Sequence, residues 1–176
     1  MLTLEAQQRG LLDLVKKRGA SPEDPYLRQV EGSAQLAIVR EIALWWRVFA
    51  LEAQCRFTSR LLKRLGLFQE TVAFYFDNNL TSPFVEELSV DFLDSLRGHP
   101  NPLLRAVSQS ERALLQCRAG SGDTVEILWD RHPDRVFQAL ETGSELPPAE
   151  AGGIYRLRID RDLPGMVACT RETVLR

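Results

Sequence analysis

Only two imidazoles, His99 and His132, are available to this chain as nitrogen ligands or general bases. Each stands before a proline, in His99-Pro100 and His132-Pro133, so each reads as a loop or capping residue. Histidine-rich iron or zinc sites need more nitrogen donors than this, and neither HxxxH nor HExxH spacing occurs. Three cysteines, Cys55, Cys117 and Cys169, lie far apart without a CxxC pair, which speaks against both zinc sites and a disulfide framework. They read as reduced thiols packed like small hydrophobes. Gly120-Ser121-Gly122 and Gly152-Gly153 lack the lysine and helix context of a phosphate loop, and no GxSxG turn is present. The acids Glu87, Asp91 and Asp94 share one helical stripe that could hold a cation. Because Phe84, Leu88 and Phe92 claim the opposite side, the stripe reads as a solvated outer face. A small independent enzyme would have to work with Asp91, Asp94 or Glu111.

Residues suited to binding are easier to find. Arg56, Arg60, Lys63 and Arg64 recur at helical spacing, with Arg47 upstream. Such a stripe can hold an acidic peptide, a partner's carboxylates or nucleic-acid phosphate, or it can simply be a solvated face. Trp45-Trp46 places one indole inward and the other toward a flank, since neighbours on a helix do not share a face. Both indoles read first as core residues; an exposed Trp46 would be an interface anchor candidate beside Arg56, Arg60 and Arg64.

Helices must position these residues. Apolar Leu4, Leu11, Leu12 and Val15 predict a helix from Leu4 to Lys17, ended by Gly19, and Asp24-Pro25 starts a short second one. From Ala34 to Leu65 there is no Pro or Gly, and Ile38, Ile42, Trp45 and Phe49 keep a three-to-four spacing. That segment reads as one long helix, or as two broken near Glu52, stopped by Gly66. Further helices are expected over 68–76, after the cap Thr81-Ser82-Pro83, and over 103–117. Phe84, Leu88, Phe92 and Leu96 mark a buried face.

The pattern changes after Gly120. Thr124 to Trp129 and Ile154 to Asp160 alternate as strands do, Met166 to Arg171 reads as a third strand after the turn at 161–165, and a short helix from Pro133 to Glu141 is ended by Gly143. The fold class predicted is therefore α+β: a helical bundle over 1–119 followed by a small three-stranded antiparallel sheet with one helix over 120–176, resting on the bundle. A sheet edge can accept an extended peptide as an added strand, and Val125, Ile127, Trp129, Tyr155, Leu157 and Ile159 are the candidate peptide-binding residues.

Composition bounds the partners. Twenty-two Lys and Arg stand against twenty-four Asp and Glu, a net charge of −2, without the basic excess usual for a duplex-DNA binder. No apolar run is long enough for a membrane span, and Met1 to Gly10 has no signal-peptide core. The expected location is cytoplasmic, with no membrane partner.

The stretch from Tyr75-Phe76-Asp77-Asn78-Asn79 through Leu80-Thr81-Ser82-Pro83-Phe84-Val85-Glu86-Glu87-Leu88 resembles a known family. So do Phe92-Leu93-Asp94-Ser95-Leu96, Pro102-Leu103-Leu104 and Ser110-Glu111-Arg112-Ala113-Leu114. They look like the partner proteins of multinuclear non-haem iron-dependent oxidative enzymes, which act in methanobactin-type and thiaglutamate-type peptide biosynthesis. The likeness covers about residues 36–118 and, more loosely, the late strands. It implies a non-catalytic subunit of a heterodimer, without a cofactor of its own. The iron would belong to the enzyme, and this chain would hold the leader of a precursor peptide so that a core residue, such as a cysteine, is oxidised. The wider family has also carried a DNA-binding label, so a helical transcriptional regulator is the alternative.

Overall fold

A computed structural model describes residues 3–16, 23–79, 84–121, 123–151 and 153–173. Within them the α+β class holds: eight α-helices and a three-stranded antiparallel sheet. The chain divides into two compact units, Met1–Phe49 and Ala50–Arg176, so the boundary expected at 119/120 falls inside the second unit.

The first unit is built from capped helices. Thr3 accepts the Ala6 N–H at the start of α1 (Leu4–Val15), and Asp24 accepts those of Tyr26 and Leu27 at 3.0 and 3.2 Å at the start of α2 (Pro25–Glu31). Each cap satisfies orphan donors of a first helical turn. Leu14, Leu27 and Leu36 form a small core with Leu11, Val15 and Val30. Gly10 permits the close approach there, because a Cβ at that position would lie 2.4 Å from Leu27 Cδ1. Leu36 belongs to α3 (Ala34–Gln54), whose Arg40 donates from Nε and Nη2 to the Leu14 carbonyl at 2.9 and 2.6 Å. The expected stop at Gly19 lies outside the described residues.

The second unit begins near the end of α3. The break expected near Glu52 comes at Cys55, which leaves helical geometry at φ −98° and ψ 53° before α4 (Arg56–Arg64). Next come α5 (Phe68–Asn78), α6 (Val85–Ser95) and α7 (Pro102–Arg118), the last started by Asn101, whose Oδ1 accepts the Leu104 N–H at 3.1 Å. Leu51, Leu61, Leu62, Val72, Phe92, Leu93, Leu104 and Val107 are buried in this layer. The cap read at Thr81-Ser82-Pro83 lies outside the described residues. Phe84, expected on the buried face, is exposed: it precedes the first turn of α6 with extended ψ 127°, so the helical phase of Leu88 and Phe92 does not apply to it.

The sheet order is β1-β2-β3, formed by β1 (Val125–Trp129), β2 (Gly153–Ile159) and β3 (Val167–Thr173), with α8 (Pro133–Thr142) between β1 and β2. Val125 opposes Ile159, Trp129 opposes Tyr155, and Leu157 opposes Cys169, which puts these side chains on one face. Helix α7 packs across β1 and β2, and it also packs against α4 and α6. The Phe137 ring of α8 meets Phe57 of α4 at 4.9 Å and Trp129 of β1 at 5.4 Å, both edge-on, and so ties helices to sheet. Among the described residues, no helix is long and apolar enough to cross a membrane.

Candidate interaction surfaces

One face of α3 is apolar and open. Ile38, Val39, Ile42, Trp45, Trp46 and Phe49 are 56, 47, 52, 58, 58 and 53% exposed. Trp45 and Phe49 stack with centroids 5.7 Å apart and planes 11° apart, and Trp46 stands edge-on to both. The expectation of one inward indole is corrected. Consecutive helical residues are about 100° apart, so a broad stripe centred between them displays both. The buried leucines of α3 are Leu36 and Leu51.

The basic stripe is engaged within the chain, which corrects its assignment to a partner. Arg60 Nη1 donates to the carbonyls of Leu140 and Glu141, both at 3.1 Å. Arg64 donates to those of Ser144 and Ala139, both at 2.7 Å. Arg56 pairs with the Glu141 carboxylate, and Lys63 pairs with Glu52 at 2.7 Å. Arg60 and Arg64 meet the last carbonyls of α8, where a helix leaves acceptors unsatisfied and the dipole end is negative. Arg56, Arg60 and Arg64 therefore dock α8.

The sheet needs a similar correction. Trp129, Tyr155, Leu157 and Ile159 are buried, and Val125 and Ile127 are half-buried on the same face. Side chains spent on the core cannot line pockets for a bound peptide. The outer strands of the sheet are β1 and β3. Along β3, Thr170, Arg171 and Glu172 are exposed, and Val167, Ala168 and Cys169 are half-buried. On the outer face Arg156 bridges Glu126 at 2.7 Å and Glu172 at 2.8 Å, linking all three strands.

Glu111, named from sequence only as an acid, has a different role. It is buried on α7, where its Oε1 accepts the Phe57 N–H and its Oε2 the Thr58 N–H, each at 2.9 Å. Burial pushes its pKa upward against these bonds, which pull it down. Burial likewise raises the Cys55 thiol, helped by the nearby Glu111 charge. No local motif announces this cap, because donors and acceptor come from separate segments.

His99 Nδ1 accepts the Asn101 N–H at 3.1 Å, and His132 stands at the N-cap of α8. Tyr155 donates to Glu150 at 2.8 Å, and that bond leads the rise in its phenol pKa. Asp94 pairs with Arg97 and Arg112 at 2.8 and 3.2 Å. Glu87 and Asp91 line an open cavity of about 410 Å³ with Gln54, Gln116 and Ser121. Among the described residues, no three His, Cys, Asp or Glu side chains gather into a metal-holding group. No known family model, curated protein or solved structure matches the chain.

Proposed function

We propose that this chain is a cytoplasmic, non-catalytic partner subunit that docks on an iron-dependent peptide-modifying oxidase and holds the leader of its precursor peptide. The observation that carries the reading is the α3 face, where two tryptophans and a phenylalanine are held half in water. Aromatic anchors of this kind dominate protein–protein binding energy. The enzyme docks there, with Trp46 among the contacts. The leader adds to an outer strand of the sheet, β1 or β3, through backbone hydrogen bonds. Iron chemistry enters this reading through the resemblance of residues 75–88, 92–96, 102–104 and 110–114. Holding the leader raises the effective concentration of the core residue at the metal of the partner enzyme. A DNA-binding regulator would need the Arg56 to Arg64 stripe free, and no observation favours it while those cations hold α8.

Co-expression of the tagged chain with its genomic neighbours, followed by pull-down and metal analysis, tests the proposal. An iron-bearing enzyme and a short peptide are expected to co-purify. Modification of the peptide should collapse when this chain is left out. A leader peptide methylated on alternate backbone amides should lose affinity, because strand addition needs those donors. Full-rate modification without the chain ends the proposal.

A further inference from the structure

Six apolar side chains at about half exposure, with roughly 150–250 Å² for each whole aromatic, present on the order of 600 Å² of contiguous apolar surface on α3. That is at the upper limit of what a lone soluble domain leaves in water. We infer that, when the enzyme is absent, a second copy of this chain covers this face. The inference rests on reading α3 as the docking face and adds its regulation: self-pairing occupies the surface that the enzyme needs.

Area and charge both favour the second copy as the occupant. Two such faces together bury about 1,200 Å², which reaches the range of specific interfaces. A two-fold contact sets a surface against itself, so any charge on it meets its own kind near the axis. The stripe Ile38, Val39, Ile42, Trp45, Trp46 and Phe49 contains no charge. The face is also continuous: Ile38 to Phe49 spans about three turns of one uninterrupted helix. A single helix can therefore supply the whole interface, and no rearrangement of the chain is required.

Sedimentation velocity on the full chain, alone, tests the inference with Trp45→Glu and Ile42→Glu. Both positions are solvent-exposed, so circular dichroism should be unchanged. Wild type is expected to show a concentration-dependent dimer, and each substitution should weaken self-association by roughly 30-fold or more. A wild-type chain that stays monomeric overturns the inference, and so does a dimer that survives both substitutions. Added phosphatidylcholine vesicles test a lipid occupant, and a chain that is monomeric alone and only partitions into them also overturns it. Pull-down of the enzyme with the same variants separates the two readings. Loss of the dimer with enzyme binding intact upholds self-pairing and removes α3 as the docking face. A monomeric wild type that loses the enzyme on substitution does the reverse.

Discussion

Glu111 Oε1 stands 2.9 Å from the backbone nitrogen of Phe57, and the same carboxylate takes the Thr58 N–H with its second oxygen. A side chain in the middle of α7 thus serves as the N-cap of α4. The usual cap is a local Ser, Thr, Asn or Asp, and Cys55, at that position, makes no side-chain cap bond. The break between α3 and α4 occurs in a segment without Pro or Gly, so the tertiary partner supplies what the local sequence lacks.

Removing this cap should be costly. Glu111→Ala leaves two buried N–H groups without acceptors, and a loss of about 3 kcal/mol is expected in urea unfolding. Glu111→Gln keeps one acceptor and should lose less. The pH dependence has a definite sign. The folded-state pKa of Glu111 lies above its ordinary 4.5, so the folded chain holds this proton more tightly than the unfolded one. The stability gained is fully present below 4.5 and is lost as pH rises through the folded value. Glu111→Gln should therefore gain on wild type as pH rises through that window. Parallel slopes for the two proteins would contradict the assignment.

Arg64 makes a second test, because its two donors reach carbonyls on either side of the Gly143 turn. Arg64→Lys keeps the charge but replaces a planar fork with a point donor, which cannot span both Ala139 and Ser144. The expected cost is about 1 kcal/mol, limited by solvent screening of an exposed side chain. Amide exchange should quicken in the last turn of α8 and remain unchanged in α6. Equal acceleration in both helices would mean that Arg64 acts on the whole unit.

Much of this architecture was legible in the residues. Period-two alternation gave β1 and β2, and Asp24-Pro25 gives its helix start because the cap acts within three residues. Contacts that depend on distant partners were not legible. Arg56, Arg60 and Arg64 follow Ile38, Ile42 and Trp46 by about five helical turns, so a continuous helix would align cations with the aromatic face. The break at Cys55 ends that phase, and the residue responsible is more than fifty positions away. The alternation that marks Tyr155, Leu157 and Ile159 as facing one side is silent on what covers that side. In the folded chain α7 covers it, and Tyr155, Leu157 and Ile159 are spent on the core.

Asp160 should respond to pH in the opposite sense to Glu111. Its Oδ1 accepts the Asp162 N–H at 3.0 Å, and its Oδ2 accepts from Thr124 Oγ1 at 2.7 Å and Arg158 Nη2 at 2.8 Å. Led by the Asp162 bond, these donors favour the ionised form and lower its pKa from 3.8 to about 2. A depressed folded value means that the stabilisation is present above 3.8 and disappears as pH falls through about 2. Asp160→Asn should therefore flatten the acid limb of the stability curve and leave the Glu111-dependent change at higher pH intact. Carbon-detected NMR of the Asp160 carboxyl should give a midpoint near 2; a midpoint at 3.8 would show that the turn joining β2 to β3 does not hold the carboxylate in solution.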